Sequence, residues 1–212
     1  REERGLILTI GGTYEPMIFS ILKFEPRYVI FVCSQETIDV TTIIKQEIAR
    51  LRPDLKITYE YSHIIEDPSS LVDAYNSVRE GLERLRRRNL LKENIRIDYT
   101  GGTKTMSAGA VLAAAPEGYK FLYVSGTERT KGGVGVVITG KEELVLPPNP
   151  WIVLEIDSLH DLFTFVSFYE WDAALEICSA IKNRSDEADI PLFKALERCI
   201  IGLKHWYRFM QK

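Results

Sequence analysis

The chain has 212 residues, 45% hydrophobic and 27% charged, with 27 Lys and Arg set against 30 Asp and Glu for a net charge of -3. That composition excludes a disordered chain and supplies a core for one domain, or for one domain plus a smaller piece. The slightly acidic balance argues against a broad nucleic-acid-binding face, but leaves room for a small anion held by a few N–H groups and one or two cations.

Short apolar runs alternate with helical patterns from the start. Residues 6–10 (LILTI) read as a strand, Gly11-Gly12-Thr13-Tyr14-Glu15-Pro16 breaks it, and 17–23 read as a helix with Pro16 in its first turn. Residues 28–33 (YVIFVC) are apolar throughout, the pattern of a strand buried on both faces of a parallel sheet, with Cys33 as a small hydrophobe. A polar loop, 34–37, precedes a helix over 38–51 with Ile43, Ile44, Ile48 and Leu51 at helical spacing. A third strand is expected over 56–61. A helix opens at Pro68-Ser69-Ser70 and closes on Arg86-Arg87-Arg88, cations suited to the dipole and solvent at a helix C-terminus.

Residues 95–99 (IRIDY) form the fourth expected strand, followed by Thr100-Gly101-Gly102-Thr103-Lys104 and a small-residue helix over 106–115. A fifth strand covers 119–124, a polar loop with Arg129 and Lys131 covers 126–133, and an antiparallel sixth strand covers 134–138. The alternation predicts an α/β fold: a Rossmann-like, mostly parallel six-stranded sheet flanked by helices, followed by an α-helical segment. Pro147-Pro148-Asn149-Pro150 marks the boundary, giving residues 1–146 and 147–212 as the two regions. Three helices are expected in the second, near 154–168, 172–182 and 191–209, with Trp171, Trp206, Tyr207 and Phe209 as packing residues.

No apolar run approaches the ~20 residues of a membrane span. The three cysteines are too scattered for a disulfide framework, and no zinc-ligand spacing occurs. The expected compartment is the cytoplasm, with no membrane partner and no metal. A start without Met and a stop inside a helical pattern suggest a piece of a longer protein.

In open α/β sheets ligands bind beyond the carboxyl ends of the strands. Four loops are expected on that rim: Gly11, Gly12, Thr13, Tyr14 and Glu15; Ser34, Gln35 and Thr37; Thr100, Gly101, Gly102, Thr103, Lys104 and Thr105; and the loop of Arg129 and Lys131. The third is the most specific. Two glycines let a ligand approach the main chain. The N–H groups opening the next helix carry partial positive charge and favour an anion, with threonine hydroxyls and Lys104 beside them. The plainer reading is a glycine turn with Thr103 as the helix N-cap. A second Gly-Gly-Thr at 11–13 favours the ligand reading. The spacing of a P-loop is missing. A dinucleotide fingerprint fits poorly, although Glu36 could serve as its acidic residue. His63 follows the third expected strand without an evident partner, and it and Glu15 are the only candidate general bases near the rim.

The strand-loop-helix string Asp98-Tyr99-Thr100-Gly101-Gly102-Thr103-Lys104-Thr105-Met106-Ser107, with its Gly-Gly-Thr partner after the first strand, resembles the CRISPR-associated Rossmann fold (CARF) domains. The likeness is greatest to the Cas02710-type group of type III CRISPR accessory proteins. It covers about residues 5–140 and extends more weakly to 168–174. The resemblance implies a sensor that binds cyclic tetra- or hexa-adenylate across a two-fold homodimer and switches on a C-terminal effector. Loop 100–105 would then hold phosphates and ribose, loops 11–15 and 34–37 would line adenine pockets, and Arg129 or Lys131 would close over the ring. Some such domains also cleave their ring slowly, so a ring nuclease stays open beside the sensor, as does a Rossmann-type dinucleotide enzyme. Arg198 and His205, seven apart on one helix face, match the spacing of the family's HEPN ribonucleases only loosely, and the plain reading is a surface pair. The tail lacks a basic recognition helix, so no DNA binding is expected of it.

Overall fold

The computed structural model describes residues 3–60, 62–126, 142–185, 187 and 189–211. Contacts divide the chain into two units, Arg1–Ala115 with Tyr119–Pro148, and Pro116–Gly118 with Asn149–Lys212. The first holds β1 (Gly5–Thr9), α1 (Glu15–Phe24), β2 (Tyr28–Ser34), α2 (Ile38–Leu51), β3 (Thr58–Tyr59), β4 (His63–Ile65), α3 (Leu71–Arg87), β5 (Ile95–Asp98), α4 (Lys104–Ala114), β6 (Lys120–Gly126) and β7 (Glu142–Val145).

These strands form one seven-stranded sheet in the order β3-β2-β1-β5-β6-β7, with β4 also paired to β2. All pairings are parallel except β6 with β7. The fully buried patterns of β1 and of most of β2 are what a parallel sheet covered on both faces demands. Alternation sends Leu6, Leu8, Val29 and Phe31 to one face, where Met17, Ile21, Ile44 and Ile48 of α1 and α2 complete the core. Ile7 and Ile30 point the other way, toward Gly81 of α3, and α3 packs along α4 there.

The sequence expects a single third strand over 56–61. The structure instead has two short strands, β3 and β4, each pairing with a different stretch of β2. The expected sixth strand, 134–138, lies outside the described residues, as do Arg129 and Lys131. The antiparallel edge strand is β7, whose half-exposed alternation fits an edge position. Of the three arginines closing α3, Arg86 donates to the Tyr119 hydroxyl and Arg88 pairs with Glu60, so only Arg87 has the purely peripheral role expected of all three.

The second unit contains α5 (Trp151–Ser167), α6 (Trp171–Arg184) and α7 (Ile190–Met210). Leu162, Ala174, Cys178, Ile181, Phe193 and Ile200 form its core. Trp171 and Tyr207 pack as expected, in an aromatic group with Tyr169. Trp206 and Phe209 do not: they are 61% and 76% exposed, because α7 carries apolar residues around more of its circumference than the three-helix core covers. No described helix is long and apolar enough to cross a membrane.

α4 packs closely on α3 because its contact residues are small. A Cβ at Gly109 would stand 2.6 Å from Ala74 Cβ and 2.9 Å from the Tyr75 nitrogen. Gly109→Ala therefore forces the two helices apart and should destabilise the fold by about 1–3 kcal/mol despite alanine's better helix propensity, read as a lower midpoint in urea unfolding.

Candidate functional site

β1 lies at the point where the sheet's connectivity reverses. The chain leaves β1 through α1 to β2 on one side, while β5, its neighbour on the other side, leads through α4 to β6. α1 and α4 pack on opposite faces, so the loops after β1 and β5 diverge, the arrangement that in open α/β sheets makes a ligand crevice at the carboxyl ends of the strands.

Both loops are glycine-rich there, and they touch. A Cβ on Gly11 would lie 2.8 Å from the Gly102 nitrogen; one on Gly101 would lie 2.4 Å from the Thr9 carbonyl oxygen and 2.5 Å from Met17 Cε. Gly102 has φ +79°, a conformation that costs glycine nothing. Thr9 Oγ1 donates to the Gly101 carbonyl at 2.7 Å, a further link between β1 and the second loop. Gly12 has no heavy atom within 4 Å of where its Cβ would be, so the main chain is open to the crevice at that position.

The threonines divide between roles. Thr103 is the N-cap of α4: its oxygen accepts the Met106 N–H at 3.1 Å and its hydroxyl donates to the Pro68 carbonyl at 2.7 Å. The plain capping reading of Thr103 is thus realised, and its proton is committed to the fold. Thr100 Oγ1 accepts the Val124 N–H at 2.8 Å, tying the loop to β6, and its hydroxyl also favours the charged form of Asp98 beneath it. Lys104 is exposed, has no ion-pair partner among the described residues, and opens a helix with no acid in its first turn.

α1 starts differently. Glu15 places a carboxylate in its first turn, where Oε2 accepts the Tyr14 N–H at 3.2 Å, and Pro16 lacks an N–H. Its positive end is already neutralised, so of the two helix starts only that of α4 favours an anion. Glu15 suits a donor such as a hydroxyl or an amino group.

The third loop lies on the same rim, one strand away. Ser34 and Thr37 bond chiefly to each other: their hydroxyl oxygens are 3.2 Å apart and Thr37 Oγ1 accepts the Ser34 N–H at 3.0 Å. Gln35 stays exposed. His63 does not belong to a loop. It is buried in β4 with Nδ1 3.3 Å from Glu80 of α3, and burial lowers its pKa, with Glu80 opposing and Arg84 reinforcing that shift. Among the described residues, no group of three or more His, Cys, Asp or Glu is placed to hold a metal.

Sequence reasoning missed Asp98. It is almost completely buried at the end of β5, and its Oδ1 accepts the Thr100 N–H at 2.8 Å, so it shapes the loop from below. The available signal was a carboxylate inside a strand bound for the middle of a parallel sheet.

No protein-family model matches the chain, and no curated protein matches it. Solved structures do. Csm6 of Enterococcus italicus, bound to cyclic hexa-2′-fluoro-hexa-dAMP, superposes with a TM-score of 0.68 at 15% identity, over 98% of this chain and 56% of that one. Can2 from Sulfobacillus thermosulfidooxidans, in complex with cyclic tetra-adenylate, gives a TM-score of 0.46 at 15% identity over 58% of this chain and 31% of the other. A type III CRISPR defence DNA nuclease activated by cyclic oligoadenylate gives 0.44 at 16% identity, over 59% and 19%. The weight rests on Csm6, of which this chain spans just over half the length. At that identity the likeness shows the fold alone: a Rossmann-like, mostly parallel sheet flanked by helices and continued by a helical segment, shared with that Csm6.

Proposed function

We propose that the α/β unit is a cyclic oligoadenylate sensor of the CARF kind, of the Cas02710-type group, which binds a ring of four or six adenylates across a homodimer and controls an effector region through its helical continuation. The observation that carries this reading is the meeting of two glycine loops at the switch point of the sheet, one of them leading into the acid-free start of α4 beside Lys104, which has no ion-pair partner among the described residues. The shared fold with a Csm6 structure that holds a cyclic hexa-adenylate analogue supports it.

The chemistry divides along the crevice. Phosphates suit the α4 start, where N–H groups and Lys104 donate. Exocyclic amines or ribose hydroxyls suit Glu15. Exposed Gly12 and Thr13 leave main chain open to a flat base. Such a ring is a polyanion that repeats, and a two-fold pair of identical crevices matches it. The exposed edge of α4 carries Lys104, Ala108 and Leu112 one turn apart, so a second copy placed along that edge would bring two Lys104 side chains to one ring.

Calorimetric titration with cyclic tetra- and hexa-adenylate, with NAD as control, tests the reading directly. Binding near one ring per two chains is expected, and Lys104→Ala should weaken it by about tenfold or more. Gly12→Leu should fold as the parent does, because the position is open, yet lose the ring by filling the crevice. A folded protein that ignores both rings, or a Gly12→Leu variant that binds unchanged, overturns the assignment.

The dimer has its own check. Leu112 is 48% exposed on α4. Leu112→Glu should leave the fold intact, shift sedimentation to a monomer and lower ring affinity in parallel. Unchanged sedimentation of a wild-type dimer would remove this edge from the interface.

A further inference from the structure

The anion-seat reading leaves a buried polar group beneath the two loops unused. Asp98 is 1% exposed, and its partners in the parallel register are Leu8 on β1 and Leu122 on β6. A carboxyl between two leucines has lost its water and needs hydrogen bonds in return. Oδ1 has one, from the Thr100 N–H at 2.8 Å. Oδ2 completes none of good geometry, and neither does the Oγ of Ser20 on α1, which is fully buried as well. The Ser20 hydroxyl nevertheless stands close enough to Asp98 to favour its charged form. Two buried polar atoms that complete no hydrogen bond thus belong to neighbouring residues, one at the end of β5 and one in the middle of α1.

We propose that Asp98 is a positioning residue: through Oδ1 it holds Thr100 at the head of the anion loop, and through Oδ2 it is tied to Ser20 of α1, so that the loops after β1 and β5 are held as one unit. A small side-chain rotation completes the second link. A neutral Asp98 donates Oδ2–H to Ser20 Oγ; a charged one accepts the Ser20 hydroxyl. The consequence for affinity rests on the ring-binding reading, whereas the tie itself does not.

Burial pushes the carboxyl up from the ordinary carboxylate range, opposed by the hydrogen bonds from Ser20 and Thr100. β1 and β6 present Leu8 and Leu122 to it and α1 presents Ser20; among the described residues no charged side chain contributes to the shift. The titratable group that senses Asp98 is Tyr99, whose phenol is raised by burial first, then by Tyr123 and Asp98. A folded-state value above the unfolded one means that the folded protein holds the proton more tightly. This group's contribution is fully present below the unfolded value and is lost as pH rises toward the folded value.

The test compares wild type, Asp98→Asn, Asp98→Ala and Ser20→Ala by amide hydrogen exchange at residues 100–105, by thermal unfolding from acid to mildly alkaline pH, and by ring titration. Asn offers an oxygen to Thr100 and an N–H to Ser20, so it should keep exchange protection and affinity while flattening the loss of stability with rising pH. Ala leaves the Thr100 N–H unpaired, so exchange at 100–105 should accelerate and affinity should fall by about tenfold. Ser20→Ala, the milder change, should accelerate the same amides to a smaller degree and carries the test if Asp98→Ala does not fold. Wild-type exchange in a folded Asp98→Ala or, where that variant is unfolded, in Ser20→Ala overturns the tie, as does an Asn variant as damaged as the Ala one. If wild type binds neither ring, the functional reading falls while the exchange pattern still decides the inference.

Discussion

Everything at the rim depends on one close approach: the main chain after β5 lies directly on the main chain after β1. Gly101 sits where any Cβ would be driven into the Thr9 carbonyl and Met17, and Gly11 where a Cβ would strike the Gly102 nitrogen. Adjacent parallel strands are about 4.8 Å apart, too near for two ordinary loops to pass each other on diverging paths. Glycine at both positions resolves the conflict, and the loops can then leave toward opposite faces without lifting off the sheet. The crevice is a by-product of that divergence. Its floor is peptide backbone, with the side chains of Glu15 and Lys104 at the two helix starts beside it.

Electrostatics then separates two helices that look alike in outline. Each follows a Gly-Gly turn at the rim. α1 opens with Glu15 and Pro16, so its own carboxylate and a missing N–H cancel the positive end. α4 opens with Lys104 and no acid. A chain with a net charge of -3 has no general attraction for anions, so any anion it took up would have to be favoured locally, within a few ångströms of a helix start such as this one. An extended, polyanionic ligand would touch both ends of the crevice and find donors at one and a carboxylate at the other, a contrast that orients it.

The pattern of the chain revealed the sheet far better than the use of its hydroxyls. Continuous apolar runs such as 28–33 can only be buried on two faces, and the alternation of runs with helices left little choice of topology. Short edge elements were the weak point: β3 and β4 are two and three residues long, and pairing with β2 rather than local propensity decides where they begin. At the candidate site, the Thr-Gly-Gly-Thr-Lys string marked a loop at the carboxyl end of β5 but could not apportion its oxygens. All four of Thr103, Thr100, Ser34 and Thr37 were candidate ligand contacts in sequence, with an N-cap role open for Thr103, yet Thr103 is committed to capping α4, Thr100 to β6, and the last two chiefly to each other. Only tertiary partners such as the Pro68 carbonyl, 35 positions away from Thr103, make that distinction.

Asp98 shows the same limit from the opposite direction. In the run IRIDY, Arg96 and Asp98 fall on the same face of the strand. Arg96 does reach partial exposure near the amino end of β5, where its guanidinium donates to backbone carbonyls. Asp98, two residues on and on the same face, lies under α1 between two leucines. A carboxyl retained in such a place costs several kcal/mol unless it organises its surroundings, since a hydrocarbon side chain of similar size would serve the core better. Its Oδ1 accepts the N–H of Thr100, the first residue of the loop after β5, and its other neighbour is Ser20 of α1, the helix that follows the other loop. A ligand that draws on the backbone of both loops therefore acts on elements from both faces of the sheet, joined at their base by this one side chain.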